Sequence, residues 1–408
     1  MIAGHRAKPM RAPDRFRFRP PAIEFDRETR WCLLRAFGPA DQAADGTPLD
    51  PTRAVEIANA LDVAARIATR IPLATLQAEL GPDAARQLLI AQALTRARTD
   101  RVLALAREVA TVLGALDVHG VLLKGVALVA TGIPDPGSRA ISDLDVLVAR
   151  ETVPALQAAL VERGFASWDI PAQEHHATPL SRGSSDMVEI HTALLGLRLA
   201  PRGPWASLAA LASGGRLAPL EGWPAAIAVP DRDVMIAHVL AHGLAQHGLA
   251  PDKYPLARML QDLVDLGFDR LDSDGLDRVG ATVAGDVSIR EVRAARDLCA
   301  ALAGGEPLAA YPGTGDARQL LGHVIAGALD QGYVKALRLR SMLEFPNSGV
   351  HGVIRTLKEA FVLTRGQVDG IYGRQTSWLG YALFRIWRPF DLVRRTLLYG
   401  WRALMQHR

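Results

Sequence analysis

Two aspartates, Asp143 and Asp145, stand two residues apart in the apolar run Ile141-Ser142-Asp143-Leu144-Asp145-Val146-Leu147-Val148. On a strand that spacing turns both carboxylates to one face. Two anions among apolar neighbours cost several kcal/mol unless cations compensate. Mg²⁺ (or Mn²⁺) would do so, since Mg²⁺ takes one or two carboxylates and completes its shell with water and substrate phosphates. Upstream lies Lys124-Gly125, and Arg139 and Ser142 precede the acidic pair directly. Gly125 would let the backbone approach a phosphate, and the residues after it open a helix whose N-terminus favours anions. Lys124 and Arg139 are the candidates for neutralising triphosphate oxygens. Downstream, Glu189 in Val188-Glu189-Ile190 offers a third metal ligand, and His191, two residues on, faces the same way.

A D-x-D pair alone says little. Asp231/Asp233 and Asp272/Asp274 have the same spacing and read as helix-start caps. His238 and His242 have the i, i+4 spacing of a zinc helix, but the H-E-x-x-H glutamate is missing, so packing or contact with the β island is the better reading. Asp262 and Asp265 read as structural partners of Arg258 along a helix.

The elements that must position these groups follow from periodicity. Residues 51 to 70 and 76 to 119 read as helices, and Val121-Leu122-Leu123 as a short buried strand running into Lys124-Gly125 and a small helix. After the turn Pro134-Asp135-Pro136-Gly137-Ser138, strands are expected at 141 to 148, 165 to 168 and 187 to 192, with a helix at 153 to 163. Beyond 231 the pattern is helical, with candidates at 231–247, 254–268, 289–303, 316–330, 333–344, 350–363 and 378–405. The strands thus fall in an island between 120 and 195. The expected division is a leader and helical region (1–98), a catalytic core (99–200), a helical domain (201–330) and basic amphipathic helices (331–408).

A chain of 408 residues suits more than one compact unit, and 49% hydrophobic content supports a buried core. Cys32 and Cys299 form no C-x-x-C spacing, which points to a reduced cytoplasm. The basic, Pro-rich start has no apolar signal core, and no run is long enough to span a bilayer. Charge is unevenly spread: residues 331 to 408 hold 13 Lys/Arg against 4 Asp/Glu, so the rest of the chain is net acidic. That basic tail carries the stripe Leu383, Ile386, Trp387, Phe390, Val393, Leu397, Trp401 and Leu404. It reads as a terminal helix docked on its own protein, or as a peripheral membrane contact through 378–408.

Leu123-Lys124-Gly125-Val126-Ala127-Leu128 followed by Arg139 to Val148 resembles the signature of the uncharacterised nucleotidyltransferase family within the DNA polymerase β-type superfamily. Val188-Glu189-Ile190-His191 resembles that family's next strand. His238 to His242 and Gln261 to Leu266 resemble its helical half. The resemblance spans roughly 100 to 270. It implies an α+β fold, a mixed sheet flanked by helices with a largely helical C-terminal half. It also implies that Asp143 and Asp145 hold the metal, Glu189 completes the site, and Lys124, Gly125, Arg139, Ser142 and His191 contact the nucleotide or its acceptor. The implied reaction moves a nucleoside monophosphate from a nucleoside triphosphate to an unknown hydroxyl acceptor: a small molecule, a protein side chain or an RNA end. One departure stands out: Gly125-Val126 replaces the superfamily's usual Gly-Ser, removing one hydroxyl contact to phosphate. Two other functions share the acidic pair, a metal-dependent glycosyltransferase and a nucleotide-binding scaffold without turnover.

Overall fold

The computed structural model describes residues 25–42, 48–168, 175–200, 204–246, 255–283, 287–305, 315–330 and 332–335, with Phe16, Pro20 and isolated positions between Ser377 and Arg394. From residue 25 onward the described chain begins with four short helices. Helix α1 (Arg27–Phe37) is capped by Asp26, whose side chain accepts from the Thr29 amide; α2 (Pro51–Ala60) starts on a proline and is capped by Asp50. Helices α3 (Ala64–Arg70) and α4 (Leu73–Leu80) follow. Periodicity predicts one helix over 51 to 70, but Asp62 at φ 60° breaks it between α2 and α3. Gly81 at φ 80° and Pro82 separate α4 from the 34-residue helix α5 (Pro82–Ala115) in the same way.

The sheet begins at β1 (Gly120–Leu122). After it come α6 (Lys124–Ala130), β2 (Leu144–Val148), α7 (Val153–Val161), β3 (Ala166–Ser167), β4 (Leu180–Arg182) and β5 (Asp186–His191). Next are α8 (Leu208–Ser213), β6 (Leu217–Pro219), β7 (Ile227–Pro230) and α9 (Arg232–Leu240), which runs into a π-helical segment, Ala241–Gln246. The described helices end with α10 (Leu256–Asp265), α11 (Ser273–Thr282), α12 (Ile289–Gly304) and α13 (Gly315–Leu329). Asp231 and Asp272 cap α9 and α11, as their spacing predicts.

The seven strands form one mixed sheet in the order β3-β4-β5-β2-β1-β7-β6. Strand β2 runs antiparallel to β1 and parallel to β5, while β7 pairs parallel to β1. The strands are not confined to the expected island: β6 and β7 lie beyond residue 200, and β7 joins the sheet beside β1. Their short runs, Leu-Ala-Pro and Ile-Ala-Val-Pro, show no alternation long enough to signal a strand. The expected strand over 141 to 148 starts only at Leu144, because β1 and β5 provide partners from Leu144 onward.

Helix α5 packs against β1, β2 and β5. A Cβ on Gly120 would lie 2.7 Å from Leu113 of α5 and 3.2 Å from Val146, so the bare glycine lets this helix settle on the face that Val146 shares. Asp145, one residue earlier on β2, points to the other face. The N-terminal helices pack on the C-terminal ones: α1 against α12 and α2 against α13, with Gln42 Nε2 donating to the Gly305 carbonyl at 3.1 Å. Both cysteines are free and buried in this core. Of the expected C-terminal helices, 350–363 lies outside the described residues, as do most of 333–344 and 378–405.

Candidate metal and nucleotide site

Strand pairing builds the acidic centre. In the parallel β2–β5 ladder Asp145 stands opposite Glu189, and Leu147 opposite His191. Directly paired residues share a face, and so do residues two apart, so Asp145, Glu189 and His191 converge. His191 Nε2 lies 2.8 Å from Asp145 Oδ1 and 3.8 Å from Glu189 Oε2. One ligand atom from each of the three lies within 4.8 Å of the others, close enough to hold one metal ion. Asp143 sits just before β2, half-buried, with Ser142 Oγ donating to its Oδ1 at 2.9 Å. The three-ligand cluster among the described residues therefore contains His191, with Asp143 at its margin.

Lys124 follows β1 as the first residue of α6, at φ 51°. A non-glycine residue held there stores roughly 1–3 kcal/mol of strain, a feature common at functional sites. Its Nζ donates to Asp145 Oδ1 at 2.7 Å, so the lysine supplies a cation to the acidic centre. Arg139 is buried, and its guanidinium grips Asp262 of α10 through two bonds of 3.0 and 2.9 Å, while Nη1 donates to the Ala140 carbonyl at 2.7 Å. Gly125 explains how the guanidinium fits: a Cβ at that position would overlap it. The glycine makes room for an arginine as well as for any ligand. Asp262 and Asp265 are structural, as expected, but each reaches across the fold. Asp262 meets Arg139, Asp265 meets Arg66 at 2.8 Å, and Arg258 meets Asp62.

These contacts set the charges. Burial pushes the Asp145 carboxyl up, but Lys124 and His191 outweigh it and hold Asp145 well below the usual carboxylate range. Burial alone would lower the Lys124 ammonium; Asp145 and Glu189 reverse that and raise it. For Glu189, burial and the neighbouring Asp145 anion outweigh the pull of Lys124 and push it up to about 7. Asp143 is raised by burial and by Asp145. His191 is lowered by burial, which outweighs the pull of Asp145. The centre thus gathers more negative charge than one lysine neutralises, which suits a divalent cation. Two carboxylates and one imidazole suit Mn²⁺ and related ions as well as Mg²⁺.

The acidic centre opens into a cleft of ≈ 210 Å³. Lys124, Gly125, Arg139, Asp143, Asp145 and Glu189 line it, joined by Ser142, His242 and Arg258. All eight expected site residues are thereby accounted for: seven line the cleft, and His191 contacts Asp145 behind it. The sequence left His242 between packing and contact with the β island, and it did not assign Arg258 to the site. Their only local signal is Gly243, a helix-weakening residue beside His242 in an otherwise helical run. His175 and His176 extend the polar cluster, with the His176 ring 6.0 Å from that of His191. The His238 and His242 rings stand 6.3 Å apart, and buried His238 faces a water-sized void beside Lys124, in keeping with packing.

A seven-stranded mixed sheet among many helices, with acidic side chains adjacent on its central strands, is consistent with an α+β fold of the nucleotidyltransferase type. Residues 47–271 match the family described as uncharacterised nucleotidyltransferase; the match covers more than half of the chain, and the chain belongs to that family. A nucleotide substrate is what that membership implies. No curated protein and no solved structure matches the chain.

Proposed function

We propose that the protein is a divalent-metal-dependent nucleotidyltransferase of the polymerase β type, moving a nucleoside monophosphate from a nucleoside triphosphate to a hydroxyl acceptor. The observation that carries this reading is the in-register pair Asp145–Glu189 beside Lys124 at the cleft. In the reaction a bond forms between the acceptor oxygen and the α-phosphorus, the bond from that phosphorus to pyrophosphate breaks, and the hydroxyl proton is lost to solvent. Asp145, Glu189 and His191 would hold the metal, with Asp143 beside them. A bound ion of this kind supplies charge neutralisation for the phosphates and lowers the pKa of an attacking hydroxyl. The buried walls around Asp145 exclude water, and Ser142 orients the Asp143 carboxylate at the mouth. Lys124, which lines the cleft beside Asp145, would offer its ammonium to a phosphate oxygen of the nucleotide.

The test is incubation with labelled nucleoside triphosphates, Mg²⁺ or Mn²⁺ and a cell extract. A labelled acceptor and pyrophosphate are expected from the native protein, and neither from a chain carrying Asp143→Asn and Glu189→Gln. Release of a nucleoside diphosphate would point to glycosyl transfer instead; binding without turnover would point to a scaffold.

The reading also includes a cytoplasmic protein that touches anionic membranes through residues 378–408. Trp378, Trp387 and Phe390 are 76%, 63% and 66% exposed, which supports this over docking of those side chains on the protein. Trp401 lies outside the described residues. Among the described residues no helix is long and apolar enough to cross a membrane.

A further inference from the structure

We infer that Arg258 and His242 form an anion-binding edge of the cleft that takes the phosphate chain of the nucleotide. The inference rests on the nucleotidyltransferase reading and adds to it two residues from the helical half.

Helix α10 is the origin of this edge. Residues 258, 262 and 265 recur at i, i+4 and i+7, so they share one side of the helix. Each is tied to a different part of the chain. Arg258 reaches Asp62 in the α2–α3 turn, Asp262 reaches Arg139 before β2, and Asp265 reaches Arg66 in α3. The Asp62 tie is the informative one. Its Oδ2 accepts from Arg258 Nε at 2.7 Å, and its carbonyl accepts from Gln261 Nε2 at 2.9 Å. A strained residue at φ 60° is thus held at both ends by α10 and in turn fixes the plane of the Arg258 guanidinium. A guanidinium presents donors along more than one edge, so an arginine whose plane a carboxylate sets can also face a phosphate.

His242 arrives at the same edge by a different route. It lies in the π-helical segment Ala241–Gln246, and such segments recur at functional sites because they re-aim side chains. A Cβ on Gly243 would stand 2.5 Å from Met259 Sδ, so the bare glycine lets this segment press on α10 at the residue next to Arg258. His242 and Arg258 therefore both line the cleft that Asp143, Asp145 and Glu189 face.

Charge supplies the reason for such an edge. Lys124 brings one positive charge to the cleft and Arg139 is held by Asp262, while a nucleoside triphosphate carries more negative charge than Lys124 and one divalent ion together cancel. The planar fork of arginine suits the remaining phosphate oxygens.

Calorimetry on the full chain with Mg²⁺ tests this, using each common nucleoside triphosphate and, separately, tripolyphosphate. Native protein should bind both a triphosphate and tripolyphosphate. Arg258→Gln should weaken both by about tenfold or more, Arg258→Lys should weaken them less, and His242→Asn should weaken both. The His242 variant leaves the Asp62 tie intact, so it remains informative if Arg258→Gln folds poorly. Native-like affinity for both ligands in stably folded Arg258→Gln and His242→Asn proteins would overturn the inference while leaving the nucleotidyltransferase reading standing. The inference also fails if Arg258→Gln spares nucleotide binding and loses only inorganic phosphate added to nucleotide-loaded protein, because the edge would then serve an acceptor phosphate. If native protein binds no nucleoside triphosphate at all, the functional reading falls and the inference with it.

Discussion

Gly125 and Arg139 compete for one volume: a Cβ on Gly125 would lie 2.8 Å from Arg139 Nη2 and closer still to Cζ and Nη1. The guanidinium cannot swing away freely, because it is locked to the buried Asp262. Gly125→Ala should therefore cost about 3 kcal/mol, the scale of breaking a buried ion pair. In an Arg139→Met background the same change should cost little, since the obstructing group is gone. Urea unfolding of the four proteins checks this, and equal cost in both backgrounds would refute it.

Lys124 and Asp145 form the second such pair. In EDTA-treated protein Asp145→Asn should destabilise by about 3 kcal/mol, because the Lys124 ammonium loses its counter-charge. Adding Lys124→Met should recover part of that loss. Additive losses in the double variant would mean the two groups do not depend on each other.

His191 Nε2 donates to the Asp145 carboxylate at 2.8 Å and lies beside Glu189. Whether it ligates the metal or orients Asp145, His191→Ala should weaken Mn²⁺ binding by about ten- to a hundredfold. Electron paramagnetic resonance titration of free Mn²⁺ reads this directly; unchanged affinity would remove the imidazole from the site.

Stability should fall with acid through His238. Burial, with repulsion from Lys124 and His191, brings this imidazole down to about 3 in the folded chain, against 6.5 for a solvent-exposed imidazole. The unfolded chain takes up the proton first, so the stabilisation is complete above pH 6.5 and is lost as pH falls toward 3. Within that window the loss approaches about 1.4 kcal/mol per pH unit. Chemical denaturation at pH 7 and pH 4.5 should show a smaller difference for His238→Gln than for the native protein. Parallel profiles would assign the acid sensitivity elsewhere.

Anionic vesicles test the tail. Flotation should recover the full chain on acidic but not neutral liposomes, and recovery should fall in 1 M salt, where the screening length is about 3 Å. Trp387→Ala with Phe390→Ala should reduce it, since both side chains are exposed. Equal recovery on neutral and acidic vesicles would end the membrane proposal.

Much of the site could be read from local pattern. Alternation around Asp145 and Glu189 places both carboxylates on strand faces, whereas Asp143 lies just before β2, and the aspartates at 231 and 272 announce helix starts by a rule that needs only the next few residues. The short strands β6 and β7 escaped because three or four residues carry too little alternation to stand out. The π-helical segment escaped as well, since its sequence reads as a continued α-helix.

Taken alone, the sequence determined which residues carry charge on which local face, because strand and helix periods depend on neighbours. Tertiary structure decided which charges meet. With 42 arginines in the chain, nothing local selects Arg139 for Asp262, 123 residues away, or Arg66 for Asp265. The opposition of Asp145 and Glu189 is likewise a matter of register, and a slip of one residue on β5 would turn Glu189 to the other face. These pairings depend on burial and packing shared across the whole fold, where a buried charge needs whichever partner the surrounding elements bring within reach.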